Sequence, residues 1–253
     1  MELEVLETGE FAVESELPVS YGRENLCVQA FERLHSADGF TFRIRSEIPL
    51  VGGLGSSASA IVAGLMAADH LFELDADVLS LATELEGHPD NVAAALLGGF
   101  VVCADGRADR FEAPTGLEAL AVVPEQPVRT PAARAALPGE VALDDAVFNV
   151  AHGALLTMGL LTGDWDLLAR GLQDRLHEQR RSELFPRSYE LALRAKDLGA
   201  LGATISGAGP TVLVWCFYEQ TGAVAEALRG ELEGWATLLR TPFESQGAYV
   251  GEL

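Results

Sequence analysis

The sequence predicts an α+β protein made of two compact domains. Its 253 residues, 49% hydrophobic and 22% charged, are enough for two modest cores. Segments with strand-like alternation and segments with helical spacing follow one another along the chain. A strand at 119–123 leads into a connection rich in proline and alanine. We place the domain boundary just before that strand, near Leu117, which gives domains 1–117 and 118–253.

The first domain is predicted to mix strands and helices. Apolar alternation indicates strands at 2–6 and 41–45, and 98–103 reads as a third strand. Helical spacing predicts helices at 25–34, at 61–72 after a glycine-rich turn, and at 76–85, where Gly87 and Pro89 interrupt the pattern.

The second domain is predicted to be mainly helical around a small set of strands. Helices are expected at 144–162, 165–176, 188–198 and 219–233. A strand and glycine turn are expected at 202–216, and short strands at 237–239 and 248–250.

Charge and hydropathy exclude several kinds of partner. The chain has 38 acidic and 17 basic residues, a formal charge of −21 that opposes nonspecific binding to nucleic acid or anionic lipid. The charge is compatible with a salty cytoplasm or with an ordinary soluble surface. No apolar stretch is long enough to span a membrane, and the first residues are acidic. We therefore expect a cytoplasmic protein with no nucleic-acid or membrane partner.

The three cysteines indicate neither disulfides nor a zinc site. Cys27, Cys103 and Cys216 are far apart and lie inside apolar runs. We expect them to be reduced, small residues of the core.

A glycine and serine loop between a strand and a helix is the strongest functional feature. Glycines allow positive φ and close approach of the backbone, and Ser56 and Ser57 can cap the helix that follows. Several N–H groups would then point at one place, where the helix start also attracts phosphate. The alternative is a purely structural turn. The loop comprises Pro49, Leu50, Val51, Gly52, Gly53, Leu54, Gly55, Ser56, Ser57, Ala58, with Ser59 next.

This loop resembles the second signature of the GHMP kinases, the family that includes galactokinase, homoserine kinase, mevalonate kinase and phosphomevalonate kinase. Residues 202–211 resemble the third signature, in which a glycine turn that includes Gly207 lies beside the phosphates. The resemblance implies ATP as cofactor at 49–59, with Asn25 near the adenine. It also implies a ribosomal protein S5 domain 2-like N-terminal domain, truncated at its start, and a ferredoxin-like C-terminal domain.

A second segment resembles the homoserine kinases in particular. Residues 86–92, Glu-Gly-His-Pro-Asp-Asn-Val, match a segment of that group, followed by Leu-Gly-Gly-Phe at 97–100. The resemblance implies that His88 contacts the substrate and that Asn91 and Ser57 are catalytic. It also implies that Glu86, with Ser57, binds Mg²⁺, although Glu84 is an alternative. Without the resemblance, the segment reads as a helix cap with a solvated Asp90.

Two arginines are candidates for binding an amino-acid carboxylate, which a guanidinium recognises through paired donors. Arg134 follows Thr130 and precedes Leu137 and Pro138, as in the homoserine kinases. Arg181 follows a matching Asp-x-x-His pattern at 174–177, with Arg180 as the alternative. The resemblance implies transfer of the ATP γ-phosphate to the L-homoserine hydroxyl in threonine biosynthesis, without a dedicated carboxylate base.

The resemblance begins after the family's first signature, because Met1 to Glu7 look like the strand that follows it. We expect a misplaced start or truncated reading frame, or else a shortened or inactive protein with an exposed strand edge. Other readings are a mevalonate-type or sugar kinase and a noncatalytic ligand-binding relative. Relatives are often dimers, so a homodimer is possible.

Overall fold

The structure, a computed structural model, describes residues 1–50, 52–128 and 130–251, except for the side chains of Thr130 and Pro131. The chain forms two compact units. The first comprises 1–50, 55–111 and 244–251, and the second comprises 52–54, 112–128 and 130–243. Part of the glycine-rich loop is thus counted with the second unit. The domain boundary near Leu117 stays a prediction.

The first unit contains a three-stranded sheet of β1 (Glu2–Glu7), β2 (Ala12–Ser15) and β3 (Phe40–Arg45). Its order is β1-β3-β2, with β1 antiparallel and β2 parallel to β3. Phe42 and Ile44 of β3 are buried, whereas Arg43 between them is exposed and pairs with Glu14. The alternation that predicts this strand therefore reflects one buried face.

Four helices and a hairpin complete the first unit. Gly64 allows two of these helices, α1 and α2, to pack closely, because a Cβ there would lie 2.1 Å from the Cys27 carbonyl oxygen. Gly87 ends α3 in the left-handed conformation, and Pro89 begins α4. The segment between these two helices carries several predicted site residues. The elements are α1 (Leu26–Glu32), α2 (Ser56–Phe72), α3 (Val78–Glu86), α4 (Pro89–Leu97), β4 (Phe100–Ala104) and β5 (Arg107–Phe111).

The second unit is built on an antiparallel sheet in the order β7-β8-β6-β9. Its strands are β6 (Leu117–Pro124), β7 (Gly202–Ile205), β8 (Val212–Phe217) and β9 (Ala236–Thr241). Two helical connections and one β-hairpin link these strands in the ferredoxin-like arrangement, as predicted. Leu120, Val214 and Leu228 lie in its core. The helices are α5 (Thr130–Ala135), α6 (Leu143–Thr162), α7 (Trp165–Gly171), α8 (Glu178–Arg181), α9 (Pro186–Arg194) and α10 (Tyr218–Leu232).

Most predicted elements are present, and the differences have local causes. The short elements β2, β5, α5 and α8 were not predicted, since each has six residues or fewer and shows no clear period. Helix α4 was not predicted either, because Gly87 and Pro89 indicated only the end of the preceding helix. The helix expected at 165–176 ends at Gly171. The strand expected at 248–250 is wrong, because this segment packs on the end of a helix: the Ala248 N–H donates to the carbonyls of Ala95 and Leu96.

Within the described residues, no helix combines the length and apolarity needed to cross a bilayer. All three cysteines are free, as predicted. Cys27 and Cys216 are buried, but Cys103 is only half-buried on β4, so its expected place in the core is wrong.

Candidate active site

The glycine-rich loop turns through positive φ at three glycines. Gly52, Gly53 and Gly55 have φ values of 143°, 88° and 75°, which other residues rarely adopt. At Gly53 space is also limiting, since a Cβ would lie 2.1 Å from the Ser206 carbonyl oxygen. Gly55 has no such neighbour within 4 Å. All three positions favour glycine because of their positive φ. At Gly53 the Ser206 backbone also leaves no room for a side chain.

The turn between β7 and β8 holds residues 52–53 of this loop. The Ser206 hydroxyl donates to the Gly53 carbonyl at 2.7 Å, and the Thr211 N–H donates to the Gly52 carbonyl at 3.2 Å. Within the described residues the buried Thr211 hydroxyl has no hydrogen-bond partner. The two glycine segments singled out in the sequence therefore touch each other.

Helix α2 begins immediately after the loop, without a side-chain cap. Its N-cap is Gly55, and the expectation that Ser56 and Ser57 cap the helix is wrong. Ser56 donates to the Leu50 carbonyl at 2.9 Å and Ser57 donates to Glu86, because both residues already lie inside the helix. Among the described residues no side chain accepts from the first-turn N–H groups, so the helix start is suited to an anion.

Glu86 lies at the end of α3 and contacts the start of α2. Its Oε1 accepts from the Ser57 hydroxyl at 2.6 Å, and only 12% of its side chain is exposed. Glu84 is 64% exposed and pairs with Arg33 at 3.0 Å. Two hard oxygen donors at Ser57 and Glu86 suit Mg²⁺, which takes one or two protein oxygens and completes its shell with phosphates and water. The geometry favours Glu86 over Glu84 for that role.

His88, Asp90 and Asn91 form the entrance to α4. The His88 Nδ1 lies 2.5 Å from Asp90 Oδ1, which also accepts from the Asn91 backbone N–H at 2.8 Å. The Asp90 side chain is 73% exposed. The His88 Nε2 lies 3.9 Å from Glu86 Oε1. The structure therefore brings together the first-unit residues Ser57, Glu86 and His88, while Asp90 contacts the His88 ring and the Asn91 N–H.

Arg181 is a buried cation on α8, 8% exposed. Its Nε donates to the Ala133 carbonyl at 2.9 Å and its Nη1 to the Gly207 carbonyl at 3.2 Å. Across the described residues no carboxylate forms an ion pair with it. Burial lowers the pKa of the Arg181 guanidinium, Asp174 opposes this decrease and Arg134 adds to it. A guanidinium has five N–H donors, so three remain after these two bonds.

Arg134 and Arg180 differ in their surroundings. Arg134 lies on α5, is exposed, and is close enough for its charge to affect Arg181. Arg180 points to Asp145, with 3.6 Å between Nη2 and Oδ2. The structure thus groups Arg134 with Arg181 and gives Arg180 a surface partner. The Thr130 side chain, part of the same sequence pattern, lies outside the described residues.

Asp174 organises the segment before α8. It accepts from the backbone N–H groups of His177 and Glu178 at 2.8 and 2.9 Å, and from the Asn149 amide at 2.7 Å. Burial pushes the pKa of Asp174 upward, but the Glu178, His177 and Asn149 donors outweigh it and hold the pKa below its usual value. The pKa of His177 is lowered, chiefly by burial. This network fixes the helix that carries Arg181.

Glu178 was missed by the sequence reasoning. It is 8% exposed and its Oε1 accepts from the Ile205 N–H at 2.7 Å. Burial raises its pKa to about 7. Its position beside Arg181 was the only available signal, because a glutamate in a polar stretch gives no indication of burial.

Asn25 and Val51 complete the predicted set. Asn25 is buried at the N-cap of α1, where its side chain accepts from Cys27 N–H at 2.9 Å and donates to the Ser20 carbonyl at 2.8 Å. Both ends of the amide are thus used within the fold, and a role near adenine stays a prediction. Val51 lies outside the described residues.

Two models of one protein family match the chain. The model of the GHMP kinases N terminal domain matches residues 25–99, and that of the GHMP kinases C terminal matches residues 156–234. The chain belongs to the GHMP kinase family, whose members use ATP as phosphoryl donor.

Within that family its relatives are homoserine kinases, which confirms the predicted resemblance. The homoserine kinase of Moorella thermoacetica is 38% identical over 225 residues, 84% of this chain and 75% of that protein. That of a Synechococcus species is 39% identical over 234 residues, 87% of this chain and 74% of that protein. The crystal structure of homoserine kinase from Cytophaga hutchinsonii has a TM-score of 0.84 at 27% identity, covering 97% of this chain and 86% of that one.

Proposed function

We propose that the chain transfers the γ-phosphoryl group of ATP to the side-chain hydroxyl of L-homoserine, forming O-phospho-L-homoserine and ADP. The observation that carries this proposal is the buried Arg181, which keeps three free N–H donors and forms no ion pair within the described residues. The Asp174 charge acts on Arg181 without forming an ion pair. A buried cation is stabilised by an anion, and the carboxylate of an amino acid fits a guanidinium fork. Arg134, close to Arg181, adds a second positive charge.

The triphosphate is proposed to bind at residues 49–59. The start of α2 carries N–H groups that have no side-chain acceptor in the part of the chain that the structure describes, and the helix dipole adds positive potential there. A Walker lysine is not needed for this kind of site, because the backbone itself supplies the donors. The hydrogen bonds from Ser206 and Thr211 hold the Gly52 and Gly53 carbonyls, which reduces the ordering needed when ATP binds.

Glu86 and Ser57 are proposed to hold Mg²⁺. When bound, the ion would neutralise charge on the phosphate oxygens of ATP. The Ser57 hydroxyl and the Glu86 carboxylate lie 2.6 Å apart and present oxygen atoms only. Glu86→Gln keeps the shape and a weaker oxygen ligand, so we expect the magnesium concentration for half-maximal activity to rise with the fold intact.

His88 and Asn91 are proposed to orient the reacting hydroxyl. His88 is the N-cap of α4 and Asn91 lies in its first turn, which Pro89 begins. We propose no general-base role for Asp90, because its side chain is 73% exposed and its Oδ1 already contacts the His88 ring and the Asn91 N–H. Catalysis would then rest on alignment and on neutralising phosphate charge.

A coupled ADP-release assay tests the proposal. The purified chain would be given ATP and magnesium with homoserine, mevalonate or galactose, one at a time. Turnover on homoserine alone supports the proposal, and preference for mevalonate or galactose identifies another small-molecule kinase. ATP binding without turnover on any of them identifies a ligand-binding relative. When Arg181 is changed to lysine, Arg180→Lys is the matched control, because Arg180 pairs with Asp145 instead.

We also propose that the chain forms a homodimer. We propose that it works in the cytoplasm, where ATP and magnesium are supplied. Helix α6 exposes Leu143, Val147 and Val150, and residues 146–163 contain no Asp, Glu, Lys or Arg. Because each chain has a formal charge of −21, two copies repel each other least when they pack through an apolar face that has no charged residues. Val150→Glu should yield monomers by light scattering, while Leu193→Glu, also on an exposed position, should not.

A further inference from the structure

Glu178 joins the helix of Arg181 to the glycine turn. The Ile205 backbone N–H, at the end of β7, donates to Glu178 Oε1 at 2.7 Å. The next residue along the chain is Ser206, whose hydroxyl donates to the Gly53 carbonyl at 2.7 Å. Two consecutive residues therefore link α8 on one side and the phosphate loop on the other.

A second bond from the same helix reaches the far side of Ser206. Arg181 Nη1 donates to the Gly207 carbonyl at 3.2 Å. Glu178 and Arg181 are one helical turn apart, so they face the same way and hold Ile205 and Gly207, the two neighbours of Ser206. Losing the Glu178 bond would leave α8 bonded to this turn through Gly207 alone among the described residues, and the buried Ile205 N–H would lose its partner.

We propose that Glu178 is a positioning residue that sets the Ile205–Gly207 turn against Arg181 and through Ser206 fixes the phosphate loop at Gly53. The proposal rests on the proposed function, since it assigns Arg181 to homoserine and Gly53 to the ATP loop. It predicts that a change at Glu178 alters binding of both substrates, although the side chain contacts neither.

The charge state of Glu178 adds a pH dependence to this role. The ionisable groups near Glu178 lie on or next to two helices. Arg181 is on the same helix, His177 and Asp174 precede that helix, and Tyr189 is on α9. Burial is the main reason that its pKa rises to about 7, the Ile205 N–H opposes the rise, and Asp174 adds to it. Ionisation above neutral pH would place negative charge one residue from Ser206, which disfavours the anionic triphosphate at the neighbouring loop. KM for ATP should therefore rise between pH 6 and pH 8.

Three variants separate positioning from simple packing. Glu178→Gln keeps an oxygen acceptor for Ile205 but has no titrating proton, whereas Glu178→Leu removes the acceptor. Glu118→Gln makes the same chemical change at a largely buried glutamate that pairs with Arg240. KM for ATP, KM for homoserine and kcat would be measured from pH 6 to pH 9, with the melting temperature recorded for each variant.

The proposal expects a specific pattern. Glu178→Gln should match the parent near pH 6 and lose the rise in KM for ATP, and Glu118→Gln should retain that rise. Glu178→Leu should raise both KM values by about tenfold, the effect of losing one buried hydrogen bond, with a smaller change in kcat. Unchanged KM values in a folded Glu178→Leu variant would overturn the proposal, as would an unaltered pH dependence in Glu178→Gln. If Glu178→Leu fails to fold, the Glu178→Gln profile decides alone.

Nucleotide binding keeps this test separate from the proposed function. ATP affinity can be measured by calorimetry without homoserine. If the chain turns over no homoserine, the proposed function fails, yet a weakened ATP affinity in Glu178→Leu still supports the positioning role. Equal ATP affinities of the parent, Glu178→Gln and Glu178→Leu at pH 6 and pH 8 would reject that role whatever the substrate.

Discussion

The Ser206 hydroxyl donates to the Gly53 carbonyl at 2.7 Å, across 153 positions of sequence. This bond attaches the third-signature turn to the phosphate loop inside the second unit. Gly53 approaches the Ser206 backbone too closely for a side chain, whereas a Cβ at Gly207 would lie at ordinary contact distance from Gly53, and Gly207 has a φ of 54°, which favours glycine. Loop geometry is therefore set by a partner remote in sequence.

Gly53→Ala should disrupt this contact. A Cβ at Gly53 would lie 2.1 Å from the Ser206 carbonyl oxygen, and the φ of 88° is itself unfavourable for alanine. We expect ATP affinity to fall by more than tenfold and stability to fall by about 2 kcal/mol or more, as for strain at a special backbone position. Calorimetric ATP titration and urea unfolding measure the two effects.

Gly106→Ala is the matched control, because its φ is 72° and no atom lies within 4 Å of its Cβ position. It should lose only about 1 kcal/mol of stability through backbone strain and keep its ATP affinity. Equal ATP affinities for the two variants would show that the Gly53 contact is not needed for the phosphate site.

Thr211→Val should stabilise the protein. The Thr211 hydroxyl is fully buried and has no hydrogen-bond partner within the described residues. Replacing an unsatisfied buried hydroxyl by a methyl group of similar shape removes a desolvation cost of about 1–3 kcal/mol. Urea unfolding measures the gain. Thr221→Val is the control and should destabilise, since the buried Thr221 hydroxyl donates to the Phe217 carbonyl. Loss of stability in Thr211→Val would mean that its hydroxyl has an additional partner, such as an ordered water.

Arg181→Lys should weaken homoserine binding strongly. The arginine uses Nε for Ala133 and Nη1 for Gly207, and one ammonium cannot span both carbonyls and still bind a carboxylate. We expect KM for homoserine to rise by at least tenfold in steady-state assays, with a smaller change in KM for ATP. Arg180→Lys should leave KM for homoserine within a factor of about two, because an exposed ion pair contributes little. The reverse ranking would assign the substrate to Arg180.

Asp90→Asn should reduce kcat only modestly. Asp90 is exposed, and its Oδ1 accepts from the Asn91 N–H, a bond that an asparagine oxygen can also form. Asn91→Ala should lower kcat far more if Asn91 orients the hydroxyl. Complete loss of turnover in Asp90→Asn, with folding and ATP binding intact, would instead make Asp90 the general base.

The stability of the protein should depend on the charge of Glu178. Its folded pKa is raised to about 7 from the ordinary glutamate value of 4.5, so between these pH values the folded state retains a proton that the unfolded state loses. The contribution of Glu178 to the free energy of unfolding should be fully present below about pH 4.5. It should fall by about 3 kcal/mol as the pH rises to about 7. Glu178→Gln should lack that decline in urea titrations. Parallel pH profiles for the two proteins would show that folding does not shift the pKa of Glu178.

Local sequence patterns predicted the long elements well. Apolar periodicity located α2 and α10, which each present buried residues to a core over several turns, and α6, which buries Gly159 and Leu160. The same approach failed at 248–250, where a strand-like pattern packs on the end of α4 through backbone bonds. It also failed at Ser56 and Ser57, since the helix begins at Gly55 and the hydroxyls find acceptors elsewhere.

The sequence by itself determined the glycine segments, the order of the main elements and the family, since these depend on residues close together along the chain. Only the tertiary structure decided that Ser57 meets Glu86 while Glu84 meets Arg33, that Arg181 is buried without an ion-pair partner within the described residues, and that Glu178 holds Ile205. The physical reason is that hydrogen-bond partners and desolvation are set by groups brought together on folding. A local pattern contains neither the distance to such a group nor its degree of burial.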